Sequence, residues 1–151
     1  MKLELSDQTL LTSQNYLNGM WIDADDGGVL NVDNPADGNS FAYVAKCGGA
    51  ETSRMIDAAD KAQKAWSKST VKDRANLLNN WFDLVMANQE DLSKILTYEQ
   101  GKPISEARAE IAYGANYIQW FAEESKRVYG DIIAPPSDDK RIMVIKQPIG
   151  V

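Results

Sequence analysis

Histidine is absent from this 151-residue sequence, and cysteine occurs once, as Cys47. Without imidazole the chain lacks the commonest general base, the usual zinc ligand and any Ser-His or Cys-His nucleophile pair. A single thiol cannot form an internal disulfide, which suits a reducing compartment. Basic clusters are missing too: 16 Lys and Arg are scattered among 22 Asp and Glu, for a net charge of −6. No patch is built to neutralise a nucleic-acid backbone. No apolar run reaches bilayer-spanning length. The start, Met1-Lys2-Leu3-Glu4, has no apolar secretory stretch. These absences lead us to expect a cytoplasmic protein that engages neither nucleic acid nor membrane.

What remains is ordinary globular composition, 44% hydrophobic and 25% charged. The length suits one domain with a usable core. Residues 1–14 are polar and aperiodic and read as a flexible N-terminal arm. Tyr16 to Asp23 and Val29 to Asn34 flank Asp25-Asp26-Gly27-Gly28, which reads as a β-hairpin around an Asp-Gly turn. Pro35 ends the second run, and Phe41 to Ala45 is a third strand candidate.

The pattern then turns helical. From Ala50 to about Lys68, the residues Met55, Ile56, Ala59, Ala62, Ala65 and Trp66 recur near a 3.6 period. Thr70 with Asp73 resembles a capping box with a shortened acid. Leu77, Leu78, Trp81, Phe82 and Val85 make the next stripe, and Asn88 is placed to cap a further turn. Gly101 suits the residue past a helix end, and Pro103 the first turn of the helix that follows. That helix is expected to reach about Tyr129, with Ala107, Ile111, Gly114, Ile118, Phe121 and Ala122 on one side. Arg141 to Ile145 reads as a strand covered on both faces.

Few residues here suggest chemistry. The Gly27-Gly28 and Gly48-Gly49 pairs lack the spacing of a dinucleotide fingerprint and read as turns. Cys47 has no histidine partner and reads as a small residue at a strand end. Glu106 and Glu110 share a helix face at i, i+4, yet cations lie nearby, so a solvated face is the simpler reading. Tyr113, Tyr117, Trp120 and Phe121 make one helix aromatic, for which core packing is the default.

Four short words carry more when read in order: Leu17-Asn18-Gly19-Met20-Trp21, Asn34-Pro35-Ala36-Asp37-Gly38, Glu99-Gln100-Gly101-Lys102-Pro103 and Gln147-Pro148-Ile149-Gly150-Val151. Together they resemble the opening third of an aldehyde dehydrogenase. The stretch from Thr97 to Pro103, with Trp120 to Glu124 and Arg127 to Asp131, is most similar to the succinate-semialdehyde branch.

The resemblance implies an α/β fold, the N-terminal portion of a Rossmann-type domain. An N-terminal β-hairpin would precede three or four long helices and a β arm. Residues 15–130 would belong to the cofactor-binding domain, and 131–151 would begin an oligomerisation β arm. The implied reaction oxidises a semialdehyde to an acid: a cysteine thiolate attacks, hydride leaves to NAD or NADP, and a glutamate-activated water releases the acid. The family's catalytic Cys, Glu and Asn are expected beyond Val151, and Cys47 does not match that cysteine. The chain alone is therefore expected to be inactive and to hold no cofactor. By the same resemblance, Val32, Asp33 and Glu99 stand where some members hold a monovalent cation, although many relatives have Asp in place of Glu99. Tyr113, Tyr117 and Phe121 would border the substrate entrance. The implied partners are a second copy of the chain, the remainder of the dehydrogenase, and a small semialdehyde. A different class of reading is a non-catalytic helical interaction or oligomerisation module derived from such an enzyme.

Overall fold

In the computed structural model, which describes residues 3–151, the chain opens on a tight hairpin. Strands β1 (Asn15–Leu17) and β2 (Met20–Ile22) pair antiparallel, with Leu17 opposite Met20. The turn is Asn18-Gly19, both at positive φ, 49° and 87°. That geometry matches the right-handed twist of the flanking strands and selects Asn-Gly. Across the ribbon Tyr16 and Trp21 meet edge to face, ring centroids 5.3 Å apart.

The hairpin expected around Asp25 to Gly28 is therefore not the one that forms. Residue Asn18-Gly19 folds the first apolar run back on itself, so its second half already has a partner. The Asp25 to Gly28 segment becomes a connecting turn, held by Asp26 Oδ1 accepting from the Gly28 amide at 2.8 Å. Strand β3 (Val29–Asp33) pairs instead with β4 (Ser40–Ala45), the anticipated third strand. Asn34 shapes the loop between them, its Oδ1 accepting from the Ala36 amide at 2.9 Å. Val32 lies opposite Ala42 and Asp33 opposite Ser40, which leaves Phe41 as an extra, bulged residue. Its ring is met edge to face by Tyr98, 5.4 Å away.

Four helices follow: α1 (Gly49–Trp66), α2 (Val71–Ala87), α3 (Gln89–Gln100) and α4 (Ile104–Glu124). Thr70 caps α2 as anticipated, accepting from the Asp73 amide at 3.1 Å. Asp73 does not reach back to the backbone; its carboxylate takes the Thr70 hydroxyl at 2.7 Å. Asn88 acts at the other end from the one expected. Its side-chain amide donates to the Leu84 carbonyl at 2.9 Å, closing α2 rather than opening α3. Gly101 ends α3 in the left-handed region at φ 75°. Pro103 precedes α4 instead of lying inside it, and its carbonyl accepts from the Glu106 and Ala107 amides.

Helix α4 stops at Glu124, short of Tyr129, and tightens into a 3₁₀ turn over Ser125–Arg127. Strands β5 (Asp131–Ile133) and β6 (Ile142–Val144) then form a third antiparallel ribbon. Nothing among the described residues covers both its faces, contrary to the expectation for the 141–145 run: Ile132 is 87% and Met143 75% exposed.

The N-terminal residues, read from sequence as a flexible arm, make specific contacts from Glu4 onward. The Asp7 amide donates to Asp91 Oδ2 at 2.9 Å, and Lys94 Nζ donates to the Glu4 carbonyl at 3.2 Å. A 3₁₀ turn, Gln8–Leu10, is capped by the Asp7 side chain.

Helices α2, α3 and α4 pack on one another, with α2 against α4 the most extensive pairing. The buried residues at this seam are small: Ala75 on α2, Ser93 on α3, and Ala107, Ala115 and Ala122 on α4. Intervals of eight and seven residues keep the three α4 alanines on one face, and their missing bulk lets the helices approach closely.

Candidate functional site

The exposed face of α4 carries four large aromatic residues. Tyr113, Tyr117, Trp120 and Phe121 are each more than half exposed. With Asn116 they line an open groove of about 320 Å³. The expectation that these rings pack in the core, with Phe121 on the buried side, is overturned. Ala107, Ala115 and Ala122 define the buried stripe, and one residue past Ala115 or before Ala122 rotates out of it. Tyr113 and Tyr117, one helical turn apart, stack edge to face with centroids 5.1 Å apart and hydroxyls 2.7 Å apart. That hydrogen bond raises the Tyr113 pKa above its ordinary value, so the Tyr113 phenol stays neutral across the physiological range. The arrangement offers a flat apolar wall with a phenol pair at one end. Asn116 was not singled out from sequence, although its place between Tyr113 and Tyr117 on one turn was the available signal.

Val32 and Asp33 lie at the β3 bulge, and Glu99 lies in the last turn of α3. Helix α3 rests on β3. The Asp33 carboxylate is engaged by the Ser40 hydroxyl. Two of the four sequence words also meet here: a methyl built on Gly101 would fall 2.8 Å from Pro35 Cγ. The Asn-Pro loop is thus seated on the glycine that ends α3. All the donors at hand are oxygens, which suit a hard monovalent or alkaline-earth cation rather than a soft metal. Among the described residues, no group of three or more His, Cys, Asp and Glu could hold a metal ion. A cation here would depend on backbone oxygens.

At the β4–α1 junction Gly48-Gly49 lies between a strand and a helix, the setting in which a dinucleotide phosphate would sit. A helix N-terminus attracts phosphate through its free amides and dipole. In this chain Glu51 already fills that position. Its carboxylate accepts from the Gly48 amide at 3.0 Å and from the Asp25 amide at 2.9 Å, and the residue is buried. Hydrogen bonds from the Asp25, Glu51 and Gly48 amides hold its pKa below the ordinary 4.5, so the anion persists. A pyrophosphate would meet a fixed negative charge, and these residues do not fit NAD or NADP. Sequence reading passed over Glu51. Its position three residues after Gly48, as an acid in the first turn, was the usable signal.

The remaining candidates are either held by structural partners or solvated. Asn15 Nδ2 donates to Cys47 Sγ at 3.0 Å. Glu110 is paired with Lys102, and Glu90 is held by the Arg108 guanidinium at 2.7 and 2.9 Å. Glu106 is exposed, as a solvated face requires. No helix among the described residues is long and apolar enough to cross a membrane.

Comparison with known proteins gives these features a context. Residues 21–151 match the pattern of the aldehyde dehydrogenase family. The chain is 54% identical over 149 residues to a glutarate-semialdehyde dehydrogenase of Pseudomonas aeruginosa, covering 99% of this chain and 31% of that protein. It is 50% identical over 149 residues to an NADP⁺ succinate-semialdehyde dehydrogenase of Escherichia coli, with the same coverage. It superposes on a crystal structure of succinate-semialdehyde dehydrogenase from Burkholderia pseudomallei with a TM-score of 0.94 and 51% identity, over 97% of this chain and 30% of that one. The chain thus spans about a third of the length of the relatives it matches.

Proposed function

The chain belongs to the aldehyde dehydrogenase family, and on that premise we propose that it is the N-terminal part of an NAD(P)-dependent semialdehyde dehydrogenase of the succinate or glutarate type. The observation that carries this reading is identity of 50% or more over 149 residues to relatives named for those two substrates. Both substrates are short acids bearing an aldehyde.

Within that enzyme this segment supplies scaffold, not chemistry. The reactive cysteine, the water-activating glutamate, the oxyanion-binding asparagine and the cofactor loop come from residues outside these 151. Cys47 takes no part, being held by Asn15 at the end of β4. The cofactor, when bound, supplies the hydride acceptor. The residues of this chain contribute a rigid helical layer beside it.

Tyr113, Tyr117 and Phe121 border the route of the aldehyde, their rings forming an apolar wall that fits a short carbon chain. Val32, Asp33 and Glu99 hold a monovalent cation at the β3–α3 contact, which would brace the Asn-Pro loop against Gly101. The exposed β5–β6 ribbon and the apolar residues left uncovered on it support assembly with a second copy or with the rest of the enzyme.

The experiment is an assay of the purified 151-residue chain with succinate semialdehyde or glutarate semialdehyde and either NAD⁺ or NADP⁺. We expect no reduced nicotinamide at 340 nm above background. Turnover that scales with chain concentration would overturn the scaffold reading.

A further inference from the structure

One cleft lies away from both regions described above. It sits where the C-terminal end of α1 and the first turn of α2 meet the segment after β6, and it encloses about 350 Å³. Arg74 and Lys146 both line it, together with Trp66, Gln63 and Gln147. Among the described residues, no acidic side chain does.

The charge arrangement is unusual for a chain of net charge −6. Arg54, Arg108 and Arg127 each hold a carboxylate, from Asp25, Glu90 and Glu124. Arg74 is half-buried, yet neither it nor Lys146 pairs with a carboxylate among the described residues. One guanidinium nitrogen, Nη1, donates to the Ser69 carbonyl. That bond anchors the group and leaves the rest of the fork available. A planar fork fixed in this way suits the two oxygens of an oxyanion. Two like charges facing one cleft repel each other unless an anion lies between them.

We propose that this cleft binds a small organic oxyanion, its phosphate or carboxylate head between Arg74 and Lys146 and its flat or apolar body against Trp66. Gln63 and Gln147 supply neutral donors at the rim. This site goes beyond the dehydrogenase reading and does not depend on it.

The test follows the Trp66 indole N–H by nuclear magnetic resonance in the full 151-residue chain, with the signal assigned from a Trp66→Phe variant. The probes are phenyl phosphate, inorganic phosphate, and sodium chloride at matched ionic strength. Phenyl phosphate should shift the signal saturably, with a dissociation constant of roughly 1 mM, the range of a weak single-site ligand. Inorganic phosphate should bind more weakly, because it makes no contact with the ring. Arg74→Gln should weaken binding by about tenfold, as expected for loss of a charge-assisted pair. Lys146→Gln lies on the exposed segment after β6 and should weaken it by a few-fold without disturbing the helices. A linear drift equal to that produced by chloride would overturn the site. Binding unchanged in the Lys146→Gln variant would also overturn it, whatever the fold of the Arg74 variant. Equal affinity for the two phosphates would overturn the Trp66 contact.

Discussion

Gly101 is the residue at which the chain tolerates least change. Its φ of 75° favours glycine, and the Pro35 ring lies where a side chain would begin. An alanine there meets the left-handed penalty together with a close contact. Gly101→Ala should therefore cost about 1–3 kcal/mol, read as a lower urea midpoint with an unchanged slope. Glu51 is a second such residue. Its two oxygens each accept a backbone amide, and an amide in their place would turn an N–H toward an N–H. Glu51→Gln should lower stability at neutral pH. Because the folded pKa lies below the ordinary 4.5, the native carboxylate's contribution is complete above that value. It is lost as pH falls through the folded pKa. Urea midpoints of the two proteins should differ most above pH 5 and converge toward lower pH. A gap constant with pH would contradict the hydrogen-bonding role.

At the scale of elements, the helices were the more legible part of the sequence. Their 3.6-residue stripes, the Thr70 cap and the Gly101 stop are local signals, and local physics determines them. The strands were misread where two turn signals competed. Asn18-Gly19 and Asp25-Asp26-Gly27-Gly28 both suit turns, but only the first places positive φ at two adjacent central residues between strands that can close at once. The α4 aromatic residues failed for a different reason. Periodicity reports that a face is apolar, not what covers it, and here the alanine face is the one that packs. That distinction yields a contrast. Ala115 is buried at the helix seam, so Ala115→Leu should destabilise by about 1–3 kcal/mol through overpacking. Arg108→Ala removes an exposed ion pair and should leave the melting temperature nearly unchanged. Similar losses for the two would show that the seam is looser than described. The site was legible only in part. The aromatic positions were identified from sequence, whereas their joining with Asn116 into one groove required the helix to be rotated correctly.

For the whole molecule, surface area is the informative quantity. A compact monomer of 16.7 kDa exposes roughly 7,600 Å², whereas this chain exposes 11,024 Å². The buried hydrophobic residues among those described are five alanines and Tyr98. Leu84, Trp81, Ile132 and Met143 remain largely exposed. At about 25 cal/mol per Å² of apolar surface, covering even 400 Å² contributes on the order of 10 kcal/mol, comparable to the stability of a whole domain. Large apolar side chains on the helices and on the β5–β6 ribbon thus remain exposed, as expected of a layer that packs against further structure.

The most direct measurement replaces the matching segment of the Pseudomonas aeruginosa glutarate-semialdehyde dehydrogenase with these 151 residues. The purified chimera is then assayed for semialdehyde-dependent reduction of NAD⁺ and NADP⁺. If the chain is the scaffold of such an enzyme, the chimera should fold, and it should turn over a semialdehyde within about tenfold of the parent, since a uniform loss of about 1.4 kcal/mol corresponds to that factor. A folded chimera that turns over neither succinate semialdehyde nor glutarate semialdehyde would contradict the account.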